Sequence, residues 1–183
     1  AAIPTNAKAY LVGGAVRDLI SGRNIHDLDF LIVTSERVIP IARKVAEHLN
    51  ADFYPMDKER DTSRVIVHSA GGDLDLDFAS LRDETLHKDL VGRDFTINGM
   101  FYDPFADVLY DYVDGKRDII EGVIRAIGNP HDRFAEDRLR MVRAVRYAAR
   151  FHFVIESATL QAIIDHSPEL LNAVAVERLW QEL

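Results

Sequence analysis

Apolar and polar positions alternate along this chain in two distinct rhythms. Residues 8–12, KAYLV, form a short apolar run that ends at Gly13-Gly14. Residues 15–20 then carry helical spacing up to Gly22, and residues 27–33, DLDFLIV, read as a second strand. Ser35 is expected to cap an amphipathic helix running to about Leu49, with Ile39, Ala42, Val45, Ala46 and Leu49 on one face. The segments ADFYPM, SRVIVHS and LDLDFASL alternate as half-buried strands do, the last two joined by a turn at Gly71-Gly72. Short helices, loops and strands continue to Gly128. From His131 onward only helical spacing is seen, with breaks at 152–155, 167–168 and 172–175.

This order predicts an α+β head over residues 1–128, built on a mixed or antiparallel sheet with helices, followed by an all-helical unit over residues 129–183. At 183 residues and 48% apolar content, the chain is long enough to bury a sizeable core. No apolar run reaches the length of a membrane span, and the first residues lack a secretory pattern, so the expected compartment is cytoplasmic. There are no cysteines, which removes disulfides, thiolate metal sites and cysteine nucleophiles. Any metal must sit on carboxylates or histidines.

The net charge of −8 argues by itself against a nucleic-acid partner. The charges are segregated, however. Residues 125–150 hold seven arginines against three acids, whereas acids dominate over residues 73–94.

Two constellations carry candidate chemistry in the head. Asp27 and Asp29 are spaced by two, so on a strand both carboxylates leave the same face. Joint ionisation at that range is costly unless a cation lies between them, and a hard divalent ion such as Mg²⁺ resolves the conflict. A solvated polar strand face is the alternative for so short a motif. Asp73, Asp75 and Asp77 repeat the spacing, and Asp77 or Asp75 is a candidate third metal ligand if the two strands are neighbours. Gly13-Gly14 ahead of a helix bearing Arg17 suits an anion, although glycine pairs after strands are often plain turns. Glycine turn, arginine and metal pair together describe a triphosphate site. Arg93 is a further phosphate candidate, and Asn98 suits a ribose hydroxyl or base edge; Asp94 and Thr96 are equally readable as caps.

In RFAEDRLRMVRAVRYAARF, read as one long helix, Arg140, Arg143, Arg146 and Arg150 fall within about 120° of one another. Met141, Val142, Val145, Ala148 and Ala149 are expected on the opposite, buried side. No acid follows Asp137 until Glu156, so the stripe lacks local partners and is expected to meet phosphates. Asp137 and Arg140 offer a carboxylate and a guanidinium fork that match the edge of a base.

The segments LVGGAVRD, DLDFLIV, RDFTING, DGKRDIIEGVIRAIGNP, RFAEDRLRMVRAVRYAARF and VERLWQEL occur in an order that resembles the class II tRNA nucleotidyltransferase and poly(A) polymerase family, the CCA-adding enzymes and their relatives. The resemblance runs from about residue 10 to 183. It implies a head like that of DNA polymerase β, a helical neck, and body and tail domains beyond the neck that are not in this sequence. It implies Asp27 and Asp29 as the catalytic pair holding Mg²⁺, with Gly13, Gly14 and Arg17 on the triphosphate. It also implies sugar discrimination by Arg93 and Asn98, base reading by Asp137 and Arg140, and further nucleotide contacts at Arg143 and Arg146. Asp114, Gly115 and Asp118 match a hinge, and Glu177 and Arg178 a motif that braces the reading helix. The implied partners are a tRNA 3′ end and nucleoside triphosphates, CTP or ATP. A non-catalytic nucleotide- or RNA-binding module on the same fold is the rival reading.

Two departures from the family pattern stand out. Where the family usually writes RRDFTINA, this chain has Gly92 for the first Arg and Gly99 for the Ala, which is expected to loosen the segment. Only DETLHKDLVG separates Arg82 from Arg93. Full CCA-adding enzymes resemble one another in a longer loop there, so the short one resembles the CC-adding branch. A-adding, CCA-adding and poly(A)-adding activities are the alternatives.

Overall fold

The computed structural model describes residues 3–25, 27–81 and 85–182. Arg82, where the short loop begins, lies outside them. The described chain forms two compact units, one of Ala1–Asp89 with Met100–Tyr110, the other of Leu90–Gly99 with Asp111–Leu183. The division does not fall at Gly128. Residues 90–99 and 111–128, assigned to the head from their mixed pattern, cluster with the helices.

The first unit is built on strands β1 (Lys8–Val12), β2 (Asp27–Val33), β3 (Asp52–Asp57), β4 (Thr62–Val67), β5 (Leu74–Ser80), β6 (Met100–Asp103) and β7 (Val108–Asp111). They form one mixed sheet in the order β3-β4-β5-β2-β1-β6-β7. β1 runs antiparallel to β2, and β2 runs parallel to β5. Helix α1 (Gly14–Ile20) follows β1 directly, and α2 (Val38–Leu49) covers one sheet face.

Alternation decides which face is which. Ala9, Ile32, Val65, Leu76 and Phe78 pack against Val38, Ile41, Ala42 and Ala46 of α2. Fully burying a side chain such as Ile41 contributes about 1.5–3 kcal/mol. Residues one position out of phase, including Asp27, Asp29, Arg64, Asp75 and Asp77, therefore belong to the opposite face. Ser35 is not the cap of α2. The helix begins at Val38, and Asp61 accepts from the Val38 and Ile39 amides at 2.6 and 3.2 Å, so a distant turn supplies the oxygens. The buried face shifts accordingly to Val38, Ile41, Ala42 and Ala46, leaving Leu49 exposed.

The second unit contains α3 (Leu86–Val91) in part, a 3₁₀ turn at Thr96–Asn98, α4 (Gly115–Glu121), β8 (Val123–Ile124), α5 (Pro130–Glu136), α6 (Leu139–Phe151), β9 (Val154–Ile155), α7 (Ser157–His166), α8 (Leu170–Ala173) and α9 (Val176–Glu182). The break expected at 152–155 contains a strand, since β9 pairs in parallel with β8. The long arginine helix is two helices. Asp137 is extended, with φ −149° and ψ 107°, and its Oδ1 accepts from the Leu139 amide at 3.0 Å, which starts α6. Among the described residues no helix is long and apolar enough to cross a membrane.

Candidate active site

The register places Asp27 beside Asp75 and Asp29 beside Asp77 on parallel strands, without a bulge. Paired residues of adjacent strands share a face, so four carboxylates line one patch of the sheet. Arg64 on β4 faces them. Its Nε and Nη2 donate to the two oxygens of Asp77 at 2.7 Å each, and Nη1 lies 2.7 Å from Asp75. Its pKa is raised, chiefly by the hydrogen bonds to Asp77, with Asp75 and Asp27 adding through charge. The alternation of SRVIVHS carried this signal, because it puts Arg64 out of phase with buried Val65.

The same register brings the glycine turn to the acids. Val12, last residue of β1, pairs with Asp29, so Gly13-Gly14 leaves the sheet next to that carboxylate. Gly13 has φ 65° and ψ −130°, a conformation open to glycine and strained for other residues. Arg17 is 6% exposed, and its guanidinium donates to both oxygens of Asp18 at 2.8 Å. It also folds over Gly14, where an added Cβ would lie 3.3 Å from Arg17 Nη2.

The donor set on this patch, carboxylate oxygen only, fits a hard divalent cation such as Mg²⁺. Among the described residues no group of three or more His, Cys, Asp or Glu side chains forms a cage for a metal ion. Mg²⁺ is commonly held by one or two carboxylates together with substrate phosphates, which matches the pair Asp27 and Asp29. Asp77, the candidate third ligand, stands beside Asp29 with both oxygens engaged by Arg64.

In the helical unit Arg143 and Arg146 of the stripe are paired over long range and Arg140 with nearby Glu136, contrary to expectation. Arg143 lies 2.8 Å from Asp94 and 3.1 Å from Glu182, and Arg146 lies 2.8 Å from Glu182. Burial pulls the Arg143 pKa down, and Asp94, Tyr147 and Glu182 more than offset it, so the net direction is upward. Both guanidinium groups also stand over the Tyr147 ring. The buried face of α6 is Leu139, Met141, Ala144, Tyr147 and Phe151, while Val145 and Ala149, expected inside, are exposed. The two large rings decide the orientation, because they offer the most apolar area to bury.

Arg140 is held by Glu136 at 2.8 Å and by the carbonyls of Arg133 and Gly92 at 3.1 and 3.3 Å. Asp137 sits at the α5–α6 break with Oδ2 3.7 Å from Arg178, and an open depression of about 450 Å³ is lined by Ala135, Glu136, Asp137, Arg138, Ala173 and Arg178. Asn98 is 6% exposed and donates to Asp94 Oδ1 at 3.2 Å; Arg93 is half-buried. Asp118 is 1% exposed and accepts from Thr96 Oγ1 at 2.6 Å and Arg125 Nε at 3.0 Å. Asp114 is exposed with φ 59°, and Asp111 accepts from the Gly115 and Lys116 amides, so Asp111 closes the start of α4. Glu177 is exposed, and on α9 Glu182 accepts from Arg143 Nη1 at 3.1 Å and Arg146 Nε at 2.9 Å.

A mixed sheet with paired carboxylates next to a glycine turn is the arrangement of a nucleotidyltransferase head. Residues 9–125 match the model of the poly A polymerase head domain, and the chain belongs to that family. It is 41% identical over 175 residues to a CC-adding tRNA nucleotidyltransferase of Geobacter sulfurreducens, with 96% of this chain and 39% of that protein aligned. It is 37% identical over 182 residues to a CCA-adding enzyme of Enterococcus faecalis, covering 96% of this chain and 44% of the relative. Among solved structures it is similar to a CCA-adding enzyme with ATP, at 32% identity and a TM-score of 0.84, covering 97% of this chain and 43% of that one. A Thermotoga maritima CCA-adding enzyme complexed with tRNA matches at 35% identity and a TM-score of 0.81, covering 97% and 42%. The chain thus spans well under half the length of these relatives.

Proposed function

We propose that this chain carries the catalytic head and nucleotide-reading helices of a template-independent RNA nucleotidyltransferase that adds CMP from CTP to the 3′ end of tRNA. The observation that carries the reading is the register of Asp29 against Val12, which sets the acid pair beside the glycine turn. The tRNA and nucleotide complexes of similar enzymes support the substrate class. The CC-adding relative and the short DETLHKDLVG connection support CMP as the nucleotide added.

Asp27 and Asp29 would hold Mg²⁺, which when bound lowers the pKa of the attacking hydroxyl and offsets charge on the departing pyrophosphate. The 3′ oxygen bonds to the α-phosphorus, the bond to the β-phosphate oxygen breaks, and pyrophosphate leaves. Gly13, Gly14 and Arg17 bind the triphosphate, with Asp18 fixing the Arg17 plane. Asp137 and Arg140 select the base at the α5–α6 break, while Asp94 and Glu182 hold Arg143 and Arg146 beside them. Arg93 and Asn98 belong to the sugar-discriminating segment, and Asn98 acts there through Asp94. No protein nucleophile is required, since positioning and charge stabilisation suffice.

The test is incubation of the full-length parent protein with tRNA lacking its 3′ end, first with CTP alone and then with CTP and ATP together. Products that end after the second C, with no growth from ATP, support the reading. Growth through the terminal A assigns the protein to the CCA-adding group, and nucleotide binding without incorporation assigns it to the non-catalytic alternative.

A further inference from the structure

On the sheet face opposite α2, Arg64 meets two of the four carboxylates with a geometry that goes beyond simple charge balance. The Arg64 fork occupies both oxygens of Asp77 at 2.7 Å, and its remaining nitrogen reaches Asp75 at 2.7 Å. Those two acids stand in register beside Asp29 and Asp27. All three side chains of the cluster are partly shielded, at 34%, 24% and 27% exposure for Arg64, Asp75 and Asp77, so the pairing is screened less than a surface contact.

The geometry points to Arg64 as a positioning residue that withholds Asp75 and Asp77 from the metal, so that a four-carboxylate patch acts as a two-carboxylate site. This rests on the proposed reading of Asp27 and Asp29 as the metal-holding pair. A hard cation offered Asp29 and Asp77 together would gain a third anionic ligand and lose a coordination position that the triphosphate or the RNA hydroxyl needs. With Arg64 in place, those positions stay with the substrates. The planar fork matters, because three separate guanidinium nitrogens each meet an oxygen of Asp77 or Asp75 at 2.7 Å, a spread that the single nitrogen of an ammonium on a flexible stem does not reproduce. Arg64→Lys therefore separates withholding from charge.

The experiment is a Mn²⁺ titration of this chain followed by electron paramagnetic resonance of the free ion, with thermal melting of each variant as a control for folding. Asp29→Asn tests the underlying reading, since Mn²⁺ binding that survives it would remove Asp29 from the metal site. For Arg64, both Arg64→Lys and Arg64→Gln are expected to tighten Mn²⁺ by about tenfold, the scale on which outer partners tune metal sites. Asp77→Asn alone is expected to leave affinity within about twofold, and adding it to Arg64→Lys should cancel the tightening. An Arg64→Lys variant that binds like the parent chain would overturn the inference. So would a loss of about tenfold in Asp77→Asn with Arg64 intact, because Asp77 would then already be a ligand.

Discussion

Val12 pairs with Asp29 across the antiparallel β1–β2 ladder, so the strand that ends in Gly13-Gly14 delivers its turn to the carboxylate two positions into β2. Strand register, set by alternation on a sheet with one face buried under α2, makes this neighbourhood reproducible.

Asp94 is the structural counterpart of Arg143. Its Oδ1 accepts from the Phe95 amide at 2.8 Å while Oδ2 takes Arg143, so Asp94→Ala removes several bonds from a buried position. The variant is expected to lose about 1–3 kcal/mol, the cost of leaving buried partners unmet. At about 2–4 °C per kcal/mol for a chain of this size, melting should show the drop.

Gly99 occupies a tight position, contrary to the expectation that it loosens its segment. An added Cβ would lie 2.7 Å from Ile127 Cδ1 and 2.9 Å from Val113 Cγ2. Gly99→Ala is expected to cost about 1–3 kcal/mol through overpacking. Chemical denaturation of the variant checks this, and an unchanged midpoint would show that Val113 yields freely.

The head's local elements were legible because their signals are local. LVGGAVRD and DLDFLIV carry their own periodicity and turn residues, and β1, α1 and β2 appear where it places them. What was not legible depends on pairing across long sequence distances. Arg143 and Asp94 stand 49 residues apart, and Asp61 lies 23 residues from the Val38 amide it caps. No window of local periodicity contains both partners, so Arg143 and Arg146 read as unpaired and α2 read as capped by Ser35, whereas Glu136 and Arg140, only four residues apart, lay within such a window. The break at Asp137 was missed for a different reason. Flanking residues keep helical spacing, and only the carboxylate's bond to the Leu139 amide reveals the interruption.

His68 bridges Asp73 at 2.8 Å and Asp52 at 3.2 Å, and these bonds, Asp73 first, raise its pKa. A histidine whose pKa is higher folded than unfolded adds stability fully present below the unfolded value of about 6.5 and lost as pH rises through the folded value. The melting temperature difference between the parent chain and His68→Gln should therefore be largest in mild acid and fade in alkaline buffer. A difference independent of pH would show that His68 contributes without its charge.

Arg140 is assigned to base selection. Arg140→Ala in the full-length parent is expected to lower the preference for CTP over ATP by about 5–150-fold, the loss of roughly 1–3 kcal/mol from one bidentate contact, with triphosphate affinity changed less. Single-nucleotide incorporation rates for both triphosphates measure this. An unchanged preference would move base reading away from Arg140.

The central claim is that Asp27 and Asp29 hold the catalytic cation beside the triphosphate. Mg²⁺-dependent incorporation of CMP by the Asp29→Ala variant of the full-length parent, compared with the unaltered protein, tests it most directly. The account predicts that incorporation falls to background while the melting temperature holds; turnover retained at a comparable rate would contradict it.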